Sequence, residues 1–88
     1  MNSKEKPIRL SRHAEIQLQY RGTTKQEIEE AIRKSSWSMA ELGKLECRMD
    51  FIFNQIWNGK HYRTKQVRPI FVEEEDELVI VTVYVYYF

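Results

Sequence analysis

The clearest pattern in the chain begins at Leu45. Leu45, Cys47, Met49, Phe51 and Phe53 alternate with Glu46, Arg48 and Asp50, so one face is apolar and the other wet. A period of two predicts a half-buried strand. Asn58-Gly59 follows, and it predicts a type I′ hairpin turn because both central residues tolerate positive φ. The next strand is expected from about Lys60 to Val72. Pro69 has no N–H to give, which predicts that this strand lies at an edge there or carries a bulge. The acidic run 73–77 reads as the second turn. Leu78 to Tyr87 is apolar on both faces, which predicts a central closing strand. On it Thr82, Tyr84 and Tyr86 share a face with Leu78, Ile80 and Phe88. Val79, Val81, Val83 and Val85 form the other face, the one expected to meet the helices.

Upstream of Leu45 the punctuation is helical. Pro7-Ile8-Arg9-Leu10 reads as a short extended segment, since Pro7 fixes its own φ and disfavours helix before it. Ser11 is a good N-cap for a helix over 13–21, which Gly22 ends. The apolar stripe of that helix is weak: Ala14, Leu18 and Arg21, or Ile16 and Tyr20. Thr24 and Glu27 have the spacing of a capping box. Ile28, Ala31 and Ile32 then mark one face of a second helix, ended by Ser35-Ser36-Trp37-Ser38. The order is β-α-α-β-β-β. An α+β domain is expected, with two helices packed on one face of an antiparallel sheet and the other face partly uncovered.

Eighty-eight residues suit one domain, 1–88, with residues 1–7 as a loose tail. Cys47 is the single cysteine, so no internal disulfide is possible. The first residues lack an apolar h-region, and the apolar run at 78–88 is about half the length of a membrane-spanning helix. A soluble cytoplasmic protein without membrane contact is expected. The net charge of +1 hides a segregation: residues 73–77 carry −5, so the remainder is basic by six charges. A polyanionic partner fits that distribution, and so does a solvated surface with one acidic loop.

Three segments together carry a resemblance. Leu10-Ser11-Arg12-His13-Ala14 leading to Tyr20-Arg21-Gly22 resembles the opening of a family of small bacterial proteins of unknown function, grouped with RelE-like toxins. Trp57-Asn58-Gly59-Lys60-His61-Tyr62 and Lys65-Gln66-Val67-Arg68-Pro69-Ile70-Phe71 resemble its middle strands. Val79-Ile80-Val81-Thr82-Val83-Tyr84 resembles its closing strand. The resemblance spans about residues 8–88 and implies a RelE-like fold, a toxin-type endoribonuclease, and a cognate antitoxin-like protein as partner. Many relatives carry a basic residue where this chain has Gln17, which counts against a catalytic role there.

Cleavage of RNA by its own 2′-hydroxyl needs a base, an acid, and cations around the phosphorane, and no metal or cofactor. His13 could take either proton role near neutrality; equally, it could hydrogen-bond a strand carbonyl and lock helix to sheet. Arg63 and Arg68 are candidate phosphate clamps, since guanidinium pairs bidentately. Tyr84 is a candidate proton donor. Arg12, Arg48, Lys60, His61, Tyr62, Lys65 and Tyr86 are candidate RNA contacts, as basic and aromatic residues interleave over 60–68. His61, Arg63 and Lys65 share one strand face, whereas Lys60, Tyr62 and Arg68 share the other. The two sets cannot line one groove without a bulge. Arg21 has a plainer reading, a cation attracted to a helix C-terminus. No metal-ligand spacing links His13, His61 and Cys47, and Cys47 is expected to be a buried thiol. Two functions remain open: an endoribonuclease acting on RNA, free or on a ribosome, and a non-catalytic RNA- or protein-binding module.

Overall fold

Ser11 starts the first helix and ties it to the sheet at once. In the computed structural model, which describes residues 3–88, α1 spans Arg12–Arg21, and Ser11 Oγ accepts from the Ala14 N–H at 3.1 Å. The same hydroxyl donates to the Val81 carbonyl at 3.1 Å, and the Ser11 N–H donates to the Ile80 carbonyl at 2.9 Å. Helix α2 spans Lys25–Lys34, and Thr24 Oγ1 caps the Glu27 N–H at 3.1 Å. The reciprocal half of the expected capping box is not made. The Glu27 carboxylate instead takes the Thr23 hydroxyl at 2.9 Å and the Lys65 ammonium at 2.8 Å.

The sheet has six strands: β1 Ile8–Leu10, β2 Ser38–Met39, β3 Leu45–Glu46, β4 Met49–Trp57, β5 Lys60–Glu73 and β6 Leu78–Tyr87. Their order is β1-β6-β5-β3-β2, with β4 also paired to β5. The α+β class agrees with the sequence; the details differ in four ways. The alternating stretch from Leu45 is broken at Cys47–Arg48 into β3 and β4, and β3 gains a short partner in β2. β1 runs parallel to β6, so the sheet is mixed. β5 is interior. It tolerates Pro69 because that residue faces Val83, whose N–H points away from β5, and on its other side faces the break between β3 and β4. No ladder bond is lost there. Finally, β6 is covered by β1 only over Leu78–Ile80 and is an edge from Thr82 onward.

A bulge decides which residues of β6 meet the helices. Ile80 pairs with Phe71 and Thr82 with Ile70, leaving Val81 as the extra residue. One inserted residue exchanges the faces. Leu78 and Ile80 before it, and Val83 after it, are all fully buried, with Val85 packed beside them. The valines therefore do not form the single helix-facing row that strict alternation predicts. Tyr84 and Tyr86 do emerge on the open face. Phe71, Ile28, Ile32 and Val67 fill the centre of the core, and the Trp37 ring meets Phe71 edge-on at 4.9 Å.

A second bulge, Phe53 and Asn54 opposite Arg63, bends the β4–β5 hairpin. It brings Phe53, Trp57 and Tyr62 around Tyr87, with Trp57 stacked on Tyr87 at 4.9 Å. Asn58 and Gly59 both have positive φ, 50° and 82°, as the hairpin turn requires. The tail is not loose from Ser3 on: Lys4 Nζ donates to the Ser35 carbonyl at 2.8 Å, Lys6 pairs with Glu73 at 2.9 Å, and Arg33 donates to the Lys4 carbonyl. Residues 1 and 2 lie outside the described chain. Among the described residues no helix is long and apolar enough to cross a membrane.

Gly22 closes the junction between α1 and the aromatic cluster. Its φ is +76°, and a Cβ there would lie 2.3 Å from the Tyr87 hydroxyl and 2.7 Å from the Trp57 ring. Gly22→Ala is expected to destabilise the fold by about 2–4 kcal/mol, from the strained backbone plus overpacking, measured by urea unfolding.

Candidate functional site

The helix-free face of the sheet gathers polar groups from three strands. Arg68 on β5 reaches Glu46 on β3 through two bonds, Nε to Oε2 at 2.5 Å and Nη2 to Oε1 at 3.2 Å. Its third nitrogen, Nη1, donates to the Tyr86 hydroxyl on β6 at 3.1 Å. Its guanidinium carbon lies 5.3 Å from the Tyr84 ring centroid. Arg68 and Tyr84 are direct cross-strand partners, which is why the pair meets. Arg48 adds a longer contact to Glu46 at 3.8 Å. The hydrogen bond from Arg68, more than its charge, holds the Glu46 carboxyl below its ordinary value of 4.5. Reciprocally, Glu46 and then Tyr86 raise the Arg68 guanidinium above its ordinary value. Arg68 is thus a permanently charged fork with three of its five N–H donors bonded.

This group forms one wall of an open groove of about 650 Å³. Met39, Leu42 and Lys44 line the opposite side, and Thr82 and Tyr84 lie on the β6 side. Leu42 is 89% exposed and has φ 57°, a backbone conformation a leucine seldom adopts. An apolar side chain held out at a groove rim is a surface feature with no core role.

The residues singled out from the sequence separate into distinct places. Arg68, Tyr84 and Tyr86 converge, with Arg48 at the margin through Glu46. His13 and Arg12 are exposed in the first turn of α1 and line neither this groove nor the smaller hollow at Asp50, Phe51, Ile52 and Thr64. Lys60, His61 and Arg63 are exposed along the β4–β5 hairpin. Tyr62 is half-buried against Tyr87 and has the Lys60 ammonium 5.5 Å from its ring. Cys47 is buried, and burial pushes its thiol up to about 12.

Lys65 does not reach the open face. It points to the helix side, 8% exposed, paired with Glu27 at 2.8 Å and donating to the Gly22 carbonyl at 3.0 Å. Here it takes the role that the sequence gives to Arg21, a cation at the C-terminal end of α1. The Tyr87 hydroxyl donates to the Arg21 carbonyl at 2.7 Å and completes that closure. Burial first, and the Glu27 charge second, push the Tyr87 hydroxyl up to about 12. Two residues were missed. Glu46 was read only as part of a wet strand face, because its partner Arg68 lies 22 positions away. Gln17 is buried, and its Oε1 accepts from the Val83 N–H at 2.9 Å and the Thr82 hydroxyl at 2.8 Å. It replaces the strand that β1 fails to provide beyond Ile80.

Comparison with family models, curated proteins and solved structures finds no match for this chain.

Lys65→Met removes the charge that Glu27 is buried against, at the cost of about 3 kcal/mol. Chemical denaturation is expected to show that loss.

Proposed function

We propose that this protein is a toxin-type endoribonuclease whose active groove is the open face of the sheet around Glu46, Arg68 and Tyr84. The observation that carries the reading is the Arg68 fork, clamped between a carboxylate and two phenols at the wall of a groove wide enough for a nucleotide. A base, a cation and an acid are the three groups that cleavage by a 2′-hydroxyl requires. Glu46 would take the 2′-hydroxyl proton, and the freed oxygen would attack phosphorus. The bond from phosphorus to the 5′-oxygen would break, with Tyr84 supplying the proton to that leaving oxygen. The products are a 2′,3′-cyclic phosphate and a 5′-hydroxyl end. In the free chain the hydrogen bond from Arg68 lowers the basicity of Glu46. A phosphate competing for the fork would release the carboxylate, so the base would be armed only when RNA is seated.

The resemblance noted in the sequence supports the same reading and adds an antitoxin-like protein as partner. A non-catalytic binding module is the second reading, favoured by the β6 edge. The Val83 N–H points outward to Gln17; by strand alternation those of Val85 and Tyr87 point outward too, with no strand over them. A partner could add a strand there. His13, which is exposed and does not line the groove, has no assigned role in either case.

Induced expression without a partner is expected to arrest growth, and the purified chain to yield RNA fragments with cyclic phosphate ends. Glu46→Gln and Arg68→Ala should each slow cleavage by about 10²-fold or more, assayed well below their lowered unfolding midpoints, while His13→Ala should cleave normally. Intact RNA after prolonged incubation with folded protein would leave the binding-module reading.

A further inference from the structure

The last turn of α1 carries an arginine that the helix does not use. A cation at a helix C-terminus ordinarily bonds the final carbonyls. Here three carbonyls at that end are already taken: Leu18 by the Gly22 and Thr23 N–H groups, Arg21 by the Tyr87 hydroxyl, and Gly22 by Lys65. The Arg21 side chain turns elsewhere. Its guanidinium carbon lies 5.3 Å from the centroid of the Tyr84 ring, the same distance as that of Arg68. It can reach there because β6 has no neighbouring strand beyond Ile80, so the end of the helix overhangs an open edge.

Two guanidinium groups drawn to one phenol repel each other, and only one of them is neutralised. Arg68 is held bidentately by Glu46, whereas no carboxylate among the described residues lies within ion-pair distance of Arg21. Around Tyr84 the cations Arg21, Lys44, Arg48 and Arg68 face the carboxylates Glu41 and Glu46. The excess is two positive charges; Arg21 and Lys44 have no carboxylate within ion-pair distance among the described residues, and of the two Arg21 is the one placed over the Tyr84 ring. A planar, half-buried group with five N–H donors, set over a tyrosine that lines the groove, suits an anion with several oxygens.

We propose that Arg21 is the first phosphate seat of the groove, receiving a phosphodiester of single-stranded RNA and presenting it to Arg68 across Tyr84. This rests on the RNA reading above and assigns the contact that reading leaves open. Arg68 is already neutralised by Glu46 and has three of its five N–H donors bonded, so an unpaired cation beside it makes the initial capture. Tyr84 then has a positioning role as well as a chemical one. With guanidinium groups at its ring it is not available to stack on a base, and its hydroxyl is held towards the groove.

The test is binding of a fluorescent single-stranded RNA oligonucleotide, followed by anisotropy over a range of salt concentrations, to the full chain. Arg21→Gln is expected to weaken binding roughly tenfold at moderate salt. It should also lower the slope of log affinity against log salt by about 0.7, one single-strand phosphate contact. Arg21→Lys should restore the slope but only part of the affinity, since it keeps the charge and loses the fork. Lys34→Gln, at the exposed end of α2, serves as a control of equal charge change. If it lowers affinity and slope as much as Arg21→Gln, or if Arg21→Gln lowers neither, the attraction is diffuse and the seat does not exist. A parent chain that binds no RNA overturns the RNA reading and the seat together, whereas parent binding indifferent to Arg21 overturns the seat alone.

Discussion

The closure of α1 against the sheet is the constraint from which the rest of the structure follows. Three side chains meet within one turn of chain at Gly22: the Lys65 ammonium, the Tyr87 hydroxyl and the Trp57 ring. Each comes from a different part of the sequence, so their meeting fixes helix, hairpin and closing strand relative to one another. It also fixes what stays outside. Because Lys65 is drawn under the helices by Glu27, its strand must turn Arg68 to the opposite face. Because the helix end is satisfied by others, Arg21 is left over for the surface. The chemistry of the open face is in this sense a by-product of how the covered face is sealed.

The groove combines two kinds of wall. The strand side is rigid, built on cross-strand neighbours in the interior of the sheet, where Arg68, Glu46 and the tyrosines restrain each other. The opposite side is the short β2–β3 loop, with Leu42 in a left-handed conformation and almost wholly in solvent. A site formed between a fixed polar wall and an adaptable apolar rim can hold one end of a ligand firmly while tolerating variety in the other. That division suits a polymer with a constant backbone and varying bases.

Much of this was legible in the residues, and the rest was hidden for identifiable reasons. Both helices, their caps at Ser11 and Thr24, and the Asn58-Gly59 turn follow from local rules that act within four residues. The opposition of Lys65 and Arg68 also follows, from parity along a single strand. Parity does not say which side the helices take; Glu27 decides that, and it lies far away in sequence. The Val81 bulge left no mark because an unbroken run of valine, isoleucine and tyrosine reads alike in either register. The break at Cys47–Arg48 was equally silent, since the alternation of side chains continues across it. Pro69 was the one local signal of it, though it pointed to an edge or bulge in its own strand and the gap lies in the strands beside it. Glu46 and Arg21 became site residues only through long-range neighbours, which no spacing rule reports.

The long β5 strand gives the molecule a polarity. Fourteen residues span about 45 Å, close to the 42 Å long axis of the chain. At one end lies the hairpin with Lys60, His61 and Arg63 exposed; at the other lies the acidic turn, anchored by Lys6 on Glu73 and Arg9 on Glu77. The near-zero net charge therefore conceals a large electric dipole along the length of the protein. Near a polyanion such a rod experiences a torque that swings its hairpin tip forward and its acidic turn away before any contact forms. Orientation on approach would then be set by the ends of one strand, independently of the groups that later hold the ligand.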